Sequence, residues 1–160
     1  MLPLSSRVSP QRMEDLVDTY LSLSPGRQKV VQMALLEHAL QAFEGAYPRH
    51  GRTEYFESVC GTRQQFDHSL PSDAIWCITV SKDVANAGAR FGEPICAMQE
   101  RDIELPERLA FAYYSIHNAF RLHVGAEPID PWLVVNQALA VYPEQEMAGA
   151  LARAIDEASG

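Results

Sequence analysis

Lysine is nearly absent from this chain: of thirteen basic residues eleven are arginine, and only Lys29 and Lys82 are lysine. With an alanine-rich tail, that bias points to GC-rich, bacterial codon usage. Cysteine is scarce too. Cys60, Cys77 and Cys96 are odd in number, widely spaced and form no CxxC pair, which argues against a disulfide framework or a zinc knuckle. No apolar run approaches the ~18–20 residues that a bilayer-spanning helix needs. Residues 1–7 have neither the positive start nor the apolar core of a secretory signal. These absences lead to the expectation of a cytoplasmic protein with reduced thiols and no membrane partner.

Catalytic signatures are missing as well. There is no GxxxxGK[ST] or GxGxxG loop to cradle phosphate, and no HExxH, GxSxG or serine–lysine motif. Cys60 is followed by Arg63 and Cys96 by Arg101, and neither spacing builds a phosphatase loop. No two of His38, His50, His68, His117 and His123 are three or four apart, the spacing that puts two ligands on one helix face. No metal and no cofactor is expected. Glu100 and Glu104, or Glu37 and Glu44, share helical spacing but lack histidine partners, so they read as solvated surface.

What is present is an ordinary globular composition. The 160 residues, 47% apolar and 21% charged, fit one domain spanning residues 1–160, with about the first eight disordered. The net charge of −8 is lopsided: residues 1–92 carry ten acids against nine bases, whereas residues 93–160 carry eleven against four. A negative field of that kind repels phosphate backbones and attracts basic proteins, which argues against nucleic acid as a partner.

Proline marks the helix starts. Ser9-Pro10 and Ser24-Pro25 pair a capping hydroxyl with a proline at the first helical position, and Asp130-Pro131 does so with a carboxylate. No proline interrupts a helical apolar pattern on this reading. The periodicity predicts helices over residues 10–21, 25–46, 106–124, 131–142 and 143–158. A short helix is expected near 53–60, then a turn from Thr62, where Thr62 and Gln65 match a capping box. Residues 74–80, Ala-Ile-Trp-Cys-Ile-Thr-Val, have the β-branched content of a strand, but no comparable run exists to pair with them. They are therefore assigned to a helix over 72–90, ended by Gly88 and Gly92, with 93–105 a loop or short helix. The fold expected is an all-α, single-domain irregular bundle of about six to seven helices. Asn118, Asn136 and Gln137 sit in apolar company and are expected to bond to each other or to loop carbonyls, fixing how two helices pack.

The function these features suggest is non-enzymatic recognition of a basic protein. The acids assigned to that surface are Glu93, Glu100, Asp102, Glu104, Glu107, Glu127, Asp130, Glu144 and Glu146. A bacterial immunity protein or antitoxin that neutralises a basic toxin or effector fits this charge; a secretion or assembly chaperone is the alternative. An enzyme with a dispersed site would draw on Cys60 as nucleophile and His68 as base.

Overall fold

The computed structural model describes residues 10–160, and side chains from residue 12 onward. The expected cap at Ser9 and the disorder of the first eight residues lie outside the described residues. The described chain is an all-α bundle of seven α-helices carrying one small hairpin. In order, α1 is Pro10–Ser22, α2 Pro25–Ala46, β1 Arg52–Glu57, β2 Thr62–Asp67, α3 Leu70–Val80, α4 Ala87–Gln99, α5 Glu107–His123, α6 Pro131–Leu139 and α7 Glu144–Ser159.

The capping chemistry works as its residue types dictate. Ser24 Oγ accepts from the Arg27 amide at 3.3 Å, and Asp130 Oδ1 accepts from the Trp132 amide at 2.9 Å. Helix α2 runs through the middle of the bundle and packs on α5, α6 and α7, while α3 packs on α5. Its buried stripe of Val31, Leu35, Leu36, Ala39 and Phe43 follows helical periodicity. Asn118 Nδ2 donates to Gln137 Oε1 at 2.8 Å, so the expected amide pair does join α5 to α6. Asn136 takes no part; it is exposed.

An aromatic cluster holds the hairpin and α4 to the bundle. Tyr113 of α5 stacks on Phe91 of α4 with centroids 4.2 Å apart, and meets Phe66 of β2 edge-on at 5.5 Å. Phe43 of α2 lies 6.0 Å from Tyr113 and 6.1 Å from Phe66. The buried Tyr113 hydroxyl donates to the Phe91 carbonyl at 3.0 Å, which satisfies its only proton. His117 also stacks on Phe91, at 5.2 Å.

Three expectations are corrected. Residues 52–67 form an antiparallel hairpin in register Arg52↔Asp67 to Glu57↔Thr62, not a short helix followed by a capping box. Thr53, Tyr55 and Glu57 face inward at period two, and Phe66 opposite Thr53 is fully buried. The tip closes with the Gly61 amide on the Glu57 carbonyl at 2.8 Å, and Gly61 sits at φ 66, a backbone that favours glycine.

The second correction is that no single helix covers residues 72–90. Residues 74–80 are helical as assigned, with Trp76 58% exposed, so the strand-like composition reflects an apolar outer face. However, α3 ends at Ser81 in the left-handed region, and the chain turns through a 3-10 segment, Val84–Asn86, before α4 begins. Gly88 does not terminate a helix. A Cβ there would lie 2.8 Å from the Phe120 ring, so glycine permits the close approach of α4 to α5.

Third, one proline does stand inside a helix: Pro94 is buried in α4. The helix therefore runs into the segment expected to be a loop or a short helix, and only residues 100–106 connect α4 to α5.

Because Phe43 is fully buried and touches three other aromatic rings, Phe43→Ala should destabilise the protein by about 3–5 kcal/mol in urea unfolding. A loss below about 1 kcal/mol would show that the cluster is not the core of the fold.

Candidate functional site

The hairpin and α4 enclose a groove of about 330 Å³. One wall is the inner face and tip of the hairpin, with Tyr55, Glu57, Val59, Cys60 and Gln64. The other is the stripe Glu93, Cys96 and Ala97 of α4, continued by Glu100 at the helix's C-terminal cap, with Asp102 just beyond. Four carboxylates thus line one concavity, and none of its lining residues is Lys, Arg or His.

The electrostatics follow from that placement. Glu57 accepts a hydrogen bond from the Cys60 thiol, and this bond, helped by the carboxylate's charge, raises the thiol's pKa. The Tyr55 phenol is pushed up first by burial, then by Glu57, Glu93 and Asp102. Burial chiefly favours the neutral Tyr55 phenol and the Glu57 bond the neutral Cys60 thiol, and the surrounding carboxylates act in the same direction on both. Asp102 does more than line the wall. Its Oδ2 accepts from the Ser58 amide at 3.0 Å and the Ser58 hydroxyl at 3.1 Å, pinning the hairpin tip to the α4–α5 connection.

Of the nine acids assigned to a partner surface, Glu93, Glu100 and Asp102 line this groove. The other six do not. Glu127 is paired with Arg121 at 2.9 Å, and Asp130 caps α6. Glu107 lies in the first turn of α5, and Glu144 and Glu146 in that of α7, where the helix dipole favours carboxylates; Glu104 is exposed in the connection. Sequence reasoning missed Glu57 and Tyr55 because the hairpin was read as a helix, and it took Cys60 as a nucleophile for His68 and not as a neighbour of Glu57. Gly61 was a local turn signal, but residues 53–57 do not alternate in polarity, because Phe56 faces out and Glu57 faces in.

Cys60 and His68 do not meet. Cys60 is exposed in the turn at the hairpin tip, whereas His68 follows the base, about 17 Å away along the ladder at the usual strand rise. His68 is buried between Tyr47 and Phe66, with Nε2 2.7 Å from Thr53 Oγ1. Among the described residues no group of three or more His, Cys, Asp or Glu is arranged to hold a metal ion, and no helix is long and apolar enough to cross a membrane.

Comparison with protein-family models, with curated proteins and with solved structures finds no match to this chain.

Four of the five histidines are packing groups, and two of them carry a marked pH dependence. Burial, aided by Arg121, lowers His117 to about 4, and burial with Lys29 nearby lowers His123 to about 4. An unfolded chain protonates histidine near pH 6.5, so protons favour unfolding as pH falls below that value. Stability should be full above about pH 6.5 and decline toward pH 4, with His117 contributing on the order of 2 kcal/mol after allowance for its exposed edge. Urea unfolding at pH 7 and pH 4.5 measures the decline. His117→Phe should keep the stack and flatten the profile; an unchanged profile would remove His117 as its source.

Proposed function

We propose that this chain is a non-enzymatic protein-binding protein that accepts a basic segment of its partner in the groove between the hairpin and α4. The observation that carries the reading is the clustering of Glu57, Glu93, Glu100 and Asp102 on one concave surface without a counter-charge. Like charges brought together raise the local potential, and a cationic side chain entering the groove relieves that repulsion. Tyr55, Val59 and Ala97 supply apolar surface for the methylene stem of an arginine or lysine. Val59, 72% exposed at the hairpin tip, gives the groove an apolar rim that a partner would cover.

The class of partner this suits is a basic protein, such as a nucleic-acid-attacking toxin or effector, held by a small acidic immunity protein or antitoxin. Steering between such surfaces speeds association, and a bound acidic protein blocks a basic active site.

A fluorescent basic peptide, such as an octa-arginine, provides the test. Binding should weaken about tenfold between about 50 and 250 mM salt, as expected for a charge-steered complex. Glu93→Gln combined with Glu100→Gln should weaken it about tenfold more, whereas Glu144→Gln with Glu146→Gln should leave it within about twofold. Equal losses from the two double variants would mean that the peptide reads net charge and not the groove.

A further inference from the structure

A second concavity, where the first turns of α2 meet the end of α5 and the start of α6, has a different chemistry. It measures about 320 Å³ and is lined by Pro25, Lys29, Gln32, Leu122, His123 and Pro131, among others. A hydrogen-bond chain runs from it into the core: His123 Nε2 to Gln32 Oε1 at 2.6 Å, Gln32 Nε2 to Tyr20 Oη at 3.0 Å, and Tyr20 Oη to the Pro131 carbonyl at 3.2 Å.

The direction of this chain is fixed by one atom. A carbonyl only accepts, so the single Tyr20 proton must point at Pro131. Tyr20 Oη therefore accepts from Gln32, which turns the amide nitrogen toward Tyr20 and the amide oxygen toward His123. That oxygen needs a proton from His123, so the imidazole carries its hydrogen on Nε2 and leaves Nδ1 as a bare acceptor. Among the described residues no hydrogen bond engages Nδ1, and it is not one of the buried unpaired atoms, so the half-buried ring keeps some accessible surface at this nitrogen. Burial and Lys29 keep the ring neutral at ordinary pH. The Lys29 ammonium makes only a long contact, 3.5 Å to the Ile78 carbonyl.

Tying four helices together requires only Nε2, Gln32, Tyr20 and Pro131. The outward acceptor and the neighbouring cation are left over. We propose that this cavity binds a short hydroxy acid, with the ligand's carboxylate on Lys29, its hydroxyl donating to His123 Nδ1, and its carbon chain against Pro25, Leu122 and Pro131. The site is independent of the acidic groove.

The test uses the full chain labelled with 15N-histidine and three probes: 3-hydroxybutyrate, butyrate and butane-1,3-diol. His123 should show an unprotonated Nδ1, and 3-hydroxybutyrate should move that resonance to saturation. Butyrate, lacking the donor, and the diol, lacking the charge, should each bind at least fivefold more weakly. Lys29→Met should weaken 3-hydroxybutyrate at least fivefold without changing the Nδ1 resonance of the free protein; Lys29→Gln serves if the methionine variant does not fold. A protonated Nδ1, a shift that never saturates, or equal binding of 3-hydroxybutyrate and butyrate would overturn the proposal.

Discussion

Tyr113 is the point on which the arrangement of the protein turns. It lies on α5, fully buried, and touches α2 through Phe43, the hairpin through Phe66 and α4 through Phe91. Its hydroxyl has one route to satisfaction, the Phe91 carbonyl, and an unpaired buried hydroxyl would cost about 1–3 kcal/mol. The bond therefore fixes the position of α4 along α5 as well as its distance. Gly88 agrees with that register, since only a residue without a side chain lets Phe120 lie so close. Once the hairpin and α4 are both anchored on Tyr113, the space between their outer ends is set, and that space is the acidic groove.

The helical part of the fold was legible because its signals are local. Ser24-Pro25 and Asp130-Pro131 announce helix starts by satisfying amides that no earlier residue can serve, and both caps are formed as written. The pairing of Asn118 with Gln137 was legible for a related reason: an amide among apolar neighbours needs a partner close by. The hairpin was not legible. Its inner face shows only Tyr55 and Phe66 as strongly apolar residues, while Arg52, Glu54 and Gln65 make it look like a solvated helix. Its stability comes from Phe43 and Tyr113, which lie far away in sequence. Pro94 misled for the opposite reason, since its buried place in α4 is a tertiary fact that no local rule expects.

The site followed the same division. Glu93 and Glu100 come from one short stretch of chain, on α4 and at its C-terminal cap, so a count of acids past residue 92 captured them together. Glu57 comes from a chain segment 36 residues earlier and joins them only through the hairpin. Conversely, the charge count could not separate acids that gather from acids already engaged. Asp130 is spent on a helix start and Glu127 on Arg121, and a carboxylate already bonded adds less to an external field than a free one.

Asp102 gives the groove a property that neither wall has alone. It is both part of the negative lining and the clasp that holds Ser58, with two bonds on a single oxygen. Any displacement of this carboxylate breaks both bonds at once, so the tip of the hairpin is held no more firmly than the Asp102 side chain itself. The negative lining of the groove and the position of Ser58 therefore depend on one and the same group.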